Sequence, residues 1–558
     1  MENTDTRSVE TLPQEELSAL ARIFGDFLKR KSTSAPEIMA AMGEKLITAR
    51  EKGDSFITLD DGEYEALQGN PHLLTGEKAL FVLEGKELYL YREHKNEVTL
   101  AHAIAERLKK TVPLKKYTRE EITKAFLKPD APDFKPHENQ IDAVANCLES
   151  CFSIITGGPG TGKTTIIAAL VALEAERDPD IKIEIAAPTG KAAELLTKGL
   201  SGGPYPVKAH TLHSLFKARP GSGRFGKNAS DPLECDLLIV DECSMISLDV
   251  AAKVFQGLSP ETRVVLSGDH RQLEAIGSGA VLSSLLTFSS DNSPAAERLK
   301  KAGVELTANY RSKLAPTIQG LAKAMREKEE ISSLCQKIVS ENSANYSFQK
   351  SSSNTGKEIL STAANRWQKL PELCKEITED SVKKAFEVLR SFRVLTAQRV
   401  GKEGCSKLNE KILKELGLAS AYSPGSALLI TENCHRTGLS NGDVGIVFAD
   451  KEAGGVRICF EHLVVPLQFH DLPPHESAFA MTVHKAQGSG FDEVSFPMPR
   501  EDTPLLTREL FYTALTRAAK KITIYGNADM VQKALERESC RAAKLAERIV
   551  AELKGEQQ

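Results

Sequence analysis

The sequence predicts an α/β protein with two parallel sheets, a small α+β region ahead of them and an antiparallel insertion in the second. Three observations carry this. From Cys151 onward, continuous apolar runs (CFSIITG, IKIEIAAP, DLLIVDE, RVVLSGD) alternate with helical stretches reaching 176 and 198, the pattern of parallel strands covered on both faces. A second region of the same kind follows Phe392 and ends near Ile524. Between 425 and 470 the spacing shortens, and ALLITEN, NGDVGIVFAD, GGVRICFE and LVVPLQF are close-set strands joined by Gly-rich turns, as in a small SH3-like β-barrel.

Taken in order, residues 14 to 31 and 36 to 51 place apolar side chains three and four apart and are predicted helices. FITLDD and then ALFVLEG and KELYLYREHK read as strands with a Gly-containing hairpin turn. Together they make an N-terminal α+β domain over 1–125. KPDAPDFKPHENQ, from 128 to 140, reads as a linker into a first parallel-sheet domain over 126–330. The second spans 331–558 with the insertion at about 425–470, and SANYSFQKSSSNTGK, from 343 to 357, reads as a polar, mobile connector.

A chain of 558 residues, 41% hydrophobic and 27% charged, is long enough for roughly three or four domains. The start, MENTDTRSVETL, lacks a basic stretch followed by an apolar one, and nowhere do about 18 apolar residues run together, so the expected location is cytoplasmic with no membrane contact. Ten cysteines are scattered without a CxxC pair, which suits buried reduced thiols. The net charge of -4 gives no global basic footprint, so any nucleic-acid contact must come from a local track.

TGGPGTGKTT carries the strongest chemistry. GxxxxGK[ST] is matched by Gly157, Gly162, Lys163 and Thr164, after a strand and before a helix. The loop Gly157, Gly158, Pro159, Gly160, Thr161, Gly162, Lys163, Thr164 and Thr165 would cradle phosphates at a helix N-terminus, its glycines letting backbone N–H groups turn inward. Lys163 would reach the β and γ phosphates, and Thr164 would complete a Mg²⁺ shell. About eighty residues on, DLLIVDECSM puts Asp241 and Glu242 at a strand's C-terminal edge, where open α/β sheets bind ligands. Asp241 is expected to hold the Mg²⁺ and Glu242 to polarise an attacking water; ATP and Mg²⁺ are the expected cofactors. The next strand leads into LSGDHRQLEAIGSG, so Gln272 emerges at the same edge with an amide able to donate to a phosphate and accept from a water. Such a glutamine can sense the γ-phosphate; the alternative is a cap for the following helix.

In this order GGPGTGKT, APTGKAA, TLHSLF, DECSM, GDHRQLEAIGSG, LTANYRS, AMTVHKAQGSGFDEV and FYTALTRAAK resemble the successive motifs of superfamily-one DNA helicases, and within them the RecD family. The resemblance spans about 137 to 520 and implies two RecA-like motor domains with ATP between them. It implies that Arg311 and Arg517 neutralise transition-state charge, that Gln140 reads the adenine edge, and that Gly488 lets backbone approach the nucleotide. Cys243 departs from the alanine or valine more usual after the Asp-Glu pair, and packs as a small apolar residue.

By the same resemblance DNA crosses both domains, met by Thr189 and Lys191, Thr211 and His213, and Thr482, His484 and Lys485, groups suited to phosphate contacts. FKARPGSGRFGKN reads as a short basic hairpin, a strand-separating wedge or a plain surface loop. A 5′ to 3′ polarity and RecB-like and RecC-like partner subunits in double-strand break repair are implied by the resemblance alone. A stand-alone RecD-like helicase and a nucleotide-dead scaffold subunit are the alternatives. No NKxD tetrapeptide supports a GTPase, and no nuclease motif is present.

Overall fold

In the computed structural model, residues 18–76, 79–112, 116–127, 134–201, 205, 207–219, 222–288, 292–308, 310, 315–434, 436–452, 454–463, 465–539 and 541–555 are described. The N-terminal region carries helices Ala19–Lys31 and Pro36–Lys52 and strands β1 (Phe56–Thr58), β2 (Phe81–Glu84) and β3 (Glu87–Leu90), ordered β1-β3-β2 and antiparallel. The expected strand through YREHK ends at Leu90. From Tyr91 the chain is the helix Tyr91–Lys109, because Leu100, Ala101, Ile104, Ala105 and Leu108 form a helical stripe that needs a core to cover.

That core belongs to the first large sheet. Its strands are β4 (Phe152–Gly157), β5 (Ile183–Ala187) and β6 (Ala209–Thr211), then, beyond the short antiparallel hairpin β7 (Ala218–Arg219) and β8 (Arg224–Phe225), β9 (Leu237–Val240), β10 (Arg263–Gly268) and β11 (Gly303–Leu306). The order is β11-β4-β10-β9-β5-β6, every pair parallel. Strand alternation divides each apolar run between two cores. Phe152, Ile154, Leu238, Val240, Val264 and Leu266 face a layer formed by the Tyr91–Lys109 helix and the C-terminal helix Leu545–Lys554. Ile155, Leu237, Ile239 and Val265 face helices Glu138–Glu149, Lys163–Arg177 and Gly190–Leu200. Two expected boundaries therefore shift: residues 91 to 109, placed with the N-terminal domain, and 545 to 554, placed with the second sheet, both cover the first sheet.

The second sheet is β12 (Asn342–Ser343), β13 (Tyr346–Lys350), β14 (Phe392–Thr396) and, after the insertion, three further strands. The insertion holds β15 (Ala427–Ile430), β16 (Val444–Asp450), β17 (Gly455–Phe460) and β18 (His475–Ser477); the sheet then closes with β19 (Ala480–Thr482), β20 (Phe491–Pro497) and β21 (Ala518–Gly526). Its order, β12-β13-β21-β20-β14-β19, is parallel except at the β12 edge. The stretch read as a mobile connector instead supplies β13 and the start of the helix Thr355–Trp367, since Tyr346 and Phe348 are buried against the sheet. In the insertion, order β17-β16-β15-β18, the fourth strand is His475–Ser477 and not LVVPLQF, which makes one bridge, Ile458 to Leu467. Leu428, Ile430, Val447, Ile458 and Phe460 form its own small core, while Ala427, Leu429, Ile446 and Phe448 join that of the second sheet.

Candidate active site

β4 ends at Gly157, and the chain reverses into the Lys163–Arg177 helix through Gly160 (φ 83°) and Gly162 (φ 88°), both left-handed positions that favour glycine. The turn is tightly enclosed: a Cβ on Gly162 would lie 2.4 Å from Gln140 Nε2, and one on Gly157 would lie 2.8 Å from Leu306 Cβ. Thr161 Oγ1 donates to Gly158 O (2.8 Å), Tyr310 N donates to Gly160 O (3.0 Å), and Lys163 Nζ donates back to Gly157 O (2.7 Å). A glycine turn at a helix N-terminus with an ammonium folded over it is suited to polyanionic phosphate.

Asp241 and Glu242 follow β9 at the same edge of the sheet. Ser267 Oγ, on the neighbouring β10, donates to Asp241 Oδ1 (2.7 Å). Glu242 holds φ at 54°, strained for a residue with a side chain. Burial, and after it the like charge of Asp241, raises the Glu242 pKa above the ordinary carboxylate value. Two adjacent carboxylates in mutual repulsion, close to a phosphate loop, are a donor set that a divalent cation suits.

The loop after β10 answers why a glutamine stands at residue 272. Gln272 Nε2 donates to Asp269 Oδ2 (3.1 Å), and its Oε1 accepts from Arg517 Nη2 (2.9 Å), so one amide joins the edge of the first sheet to an arginine of the second. Neighbouring contacts cross the same boundary. Tyr512 OH donates to Asp269 Oδ2 (3.0 Å), Leu273 N donates to Thr513 Oγ1 (2.9 Å), and Gln487 Nε2 donates to Leu273 O (2.6 Å). Arg517 also donates to Ser489 O (3.1 Å). Gln272 does not cap the next helix, Val281–Leu286, whose N-terminus receives no side-chain cap. Tyr512, Thr513 and Gln487 were missed in the sequence, although they stand inside FYTALTRA and HKAQGS.

Between the two sheets lies a cleft of about 1120 Å³. Lys163, Asp241, Glu242, Gln272 and Arg517 all line it, together with Pro159 to Thr165, Gln140, Lys191, Lys485 and Gly488. Gly157 and Gly158 lie at the root of the phosphate loop, where a Cβ on Gly158 would lie 2.9 Å from Tyr512 OH. Gln140 is buried, its Oε1 accepting from Tyr310 OH (2.7 Å) and His137 N (3.1 Å) and its Nε2 donating to Thr161 O (3.0 Å). Beside it Phe134 and Tyr310 pair at 5.4 Å between ring centroids, an aromatic wall that the sequence reading had not singled out. Arg311 lies outside the described residues.

The residues expected to meet DNA stand at or just past strand ends of the two sheets, and most already have a local partner. Thr189 and Thr211 are N-caps of the helices Gly190–Leu200 and Leu212–Leu215, and Thr482 Oγ1 accepts from Lys485 N (3.4 Å). Lys191 pairs with Glu194 (2.9 Å) and with Glu461 of the insertion (3.6 Å), while Lys485 pairs with Glu476 (2.6 Å). His213 meets Phe225 edge-on at 5.7 Å, next to the β7–β8 hairpin, and burial lowers its pKa, with Lys253 adding to this. Burial, and then Arg541, lowers that of His484. Gly488 (φ 72°) brings the second sheet's loop against Thr189 Oγ1 and Ala192, within 3.5 Å of where its Cβ would stand. Its close approach is to the first sheet's Gly190–Leu200 helix as well as to the cleft. The hairpin is present; Pro220 and Gly221, between its strands in sequence, lie outside the described residues.

Two parallel sheets facing one cleft, a phosphate loop on the first and an arginine of the second bonded to the loop after β10, define a P-loop motor ATPase. Residues 140–278 match the AAA domain and 477–525 the UvrD-like helicase C-terminal domain. RecBCD enzyme subunit RecD of Mycolicibacterium smegmatis is 33% identical over 74% of this chain and 75% of its own length, and that of Haemophilus influenzae is 30% identical over 80% and 78%. The chain belongs to the RecD family of superfamily-one helicases and is an ATP-dependent DNA helicase. The ATP-dependent RecD2 DNA helicase of Deinococcus radiodurans is 29% identical over 71% of this chain and 50% of that protein. A Bacteroides Pif1 structure bound to single-stranded DNA is 19% identical over 71% of this chain and 94% of that one, at a TM-score of 0.38. Among the described residues no helix is long and apolar enough to cross a membrane.

Proposed function

We propose that this chain is the 5′ to 3′ motor of a RecBCD-type complex in double-strand break repair, converting ATP hydrolysis in the cleft into movement along DNA. The observation that carries the motor reading is the hydrogen bond from Arg517 to Gln272, which ties the catalytic edge of one sheet to the other (2.9 Å). In this reading the phosphate-loop amides and Lys163 hold the β and γ phosphates. Thr164 and Asp241 would hold Mg²⁺, which supplies charge neutralisation on those phosphates. Glu242 accepts a proton from the attacking water, Gln272 bonds the γ-phosphoryl group, and Arg517 with Arg311 stabilises its developing charge. Gln140, freed from Tyr310, reads the adenine, and the Phe134–Tyr310 pair offers it an aromatic face.

When the γ-phosphate leaves, Gln272 loses one partner while keeping Arg517, so the sheets shift across the DNA held by Thr189, Lys191, Thr211, His213, Thr482, His484 and Lys485. The insertion is read as an SH3-like barrel and the β7–β8 hairpin as the wedge. Polarity rests on the motif resemblance alone, and the RecB-like and RecC-like partners on the relatives' name, RecBCD enzyme subunit RecD. The test is ATP hydrolysis by the purified chain with and without single-stranded DNA, and unwinding of duplexes with a 5′ or a 3′ tail. Lys163→Ala should abolish DNA-stimulated hydrolysis, a loss on the order of 100-fold or more, while the chain stays folded. Hydrolysis undiminished in that variant would refute the site, and unwinding from the 3′ tail alone would refute the polarity.

A further inference from the structure

Beyond Gln272 the loop continues through Glu274 and Gly279 to the Val281–Leu286 helix, and two distant parts of the chain grip it there. Arg541, in the tail after the Ala528–Glu536 helix, donates from Nη1 to Gly277 O (3.0 Å) and Gly279 O (3.3 Å). Its Nε lies 2.8 Å from Glu274 Oε2, an ion pair whose N–H is not directed along the contact, and both side chains are only 11% exposed. The N-terminal region closes over this arginine. Gly53 has φ of 103°, and a Cβ there would lie 2.3 Å from Arg541 Nε, so only glycine lets that turn descend. Gly279 N donates to Gly53 O (2.8 Å), Ala542 N donates to Asp54 Oδ1 (2.8 Å), and Ser55 N donates to Ala542 O (2.8 Å).

The turn at Gly53, the tail at Arg541 and the loop from Glu274 to Gly279 thus form one knot, beginning two residues past Gln272. The Gly277 and Gly279 carbonyls both take their hydrogen bonds from one nitrogen, Nη1, while Nε stands beside Glu274, so a single planar guanidinium touches three points of the loop.

We infer that Arg541 is a positioning residue for the coupling loop: it pins Glu274 to Gly279 against the N-terminal region, holds Gln272 in register with Arg517, and makes the placement of that region an input to coupling. The inference rests on the helicase reading of the cleft for its consequence, though not for its contacts. It assigns Arg541 no contact with ATP or DNA.

The experiment uses the full chain and the variants Arg541→Met, Arg541→Lys and Gly53→Ala. Backbone amide exchange at residues 273 to 279 is measured alongside base pairs unwound per ATP and the KM for ATP. Arg541→Met and Gly53→Ala should each speed exchange in the loop by about tenfold and lower unwinding per ATP several-fold, with KM for ATP within about twofold of the parent. Arg541→Lys keeps the charge without the fork and should fall between. A variant that lowers thermal stability but leaves loop exchange and unwinding per ATP unchanged overturns the inference, and so does a Gly53→Ala chain indistinguishable from the parent. If the parent itself shows no DNA-stimulated hydrolysis, the helicase reading fails, and the exchange data alone decide whether Arg541 pins the loop.

Discussion

Gln272 and Arg517 are 2% and 5% exposed, so their mutual hydrogen bond is shielded from competing water. Gln272→Ala should leave ATP binding within about twofold, lower DNA-stimulated hydrolysis by about tenfold (about 1.4 kcal/mol of transition-state stabilisation) and lower unwinding further still, so that base pairs unwound per ATP fall several-fold; an unchanged ratio would make Gln272 merely structural. Arg517→Ala removes a positive charge as well and should cost on the order of 100-fold. If the pair acts as a unit, the double variant is no slower than Arg517→Ala alone; fully additive losses in a double-mutant cycle would separate them. Glu242 adds a pH signature. As a proton acceptor it must be ionised, so kcat/KM for ATP should fall as pH drops through a pKa held above the ordinary carboxylate range by burial and by Asp241. The sign for stability is opposite: a carboxyl whose folded-state pKa is raised contributes stability below its unfolded pKa and loses it as pH rises. Glu242→Gln should therefore be more stable than the parent at neutral pH while hydrolysing little ATP, and a pH–rate profile with no limb above the ordinary carboxylate value would contradict the role.

The phosphate turn shows how an element converts composition into geometry. Gly162 stands at φ 88° with Gln140 Nε2 where its Cβ would be, so Gly162→Ala combines backbone strain of about 1–2 kcal/mol with displacement of Gln140. ATP affinity, measured by equilibrium titration, should fall by about tenfold or more, and an alanine that binds normally would show the turn to be more forgiving than its geometry. This element was legible in the sequence because its glycines, lysine and flanking periods agree over a dozen residues. The cores of β4, β9 and β10 were legible too, their apolar runs having no other solution than a sheet covered twice. What failed was local: YREHK looks like a continuation of β3, and only the burial of Leu100, Ile104 and Leu108 one helix further on decides for a helix. Tyr346 and Phe348 sit in a polar stretch that becomes β13 only because the edge of β21 is there to pair with it. Partners such as Tyr512 for Asp269 join residues 243 apart in sequence, and no period or motif rule reports which of two flanking side chains reaches across.

For the whole molecule, the decisive feature is that the Tyr91–Lys109 and Leu545–Lys554 helices, far apart in sequence, are both built into the first sheet's core. The Tyr91–Lys109 helix buries Leu100, Ala101, Ile104, Ala105 and Leu108 there, and Arg107, buried beside them, donates to Thr262 O (2.9 Å) and Ser259 O (2.7 Å). Removing residues 1 to 125 would strip away three large apolar side chains worth about 1.5–3 kcal/mol each, with the alanines and Arg107 besides, against a net stability of about 5–15 kcal/mol. That truncation should give a chain without cooperative thermal unfolding. A chain beginning at Tyr91 keeps the helix and loses the small sheet, the helices Ala19–Lys31 and Pro36–Lys52, and the Gly53 turn. It should remain folded and hydrolyse ATP in response to single-stranded DNA, with lower unwinding per ATP because nothing closes over Arg541. The same truncation tests where the partner docks. The Ala19–Lys31 helix exposes Leu20 (50%) and Ile23 (63%), apolar side chains turned away from the region's own core, and docking through this region predicts that the shortened chain no longer co-purifies with RecB-like and RecC-like subunits. Full retention of those subunits would move the interface onto the two motor sheets, leaving the N-terminal region as a brace for the coupling loop.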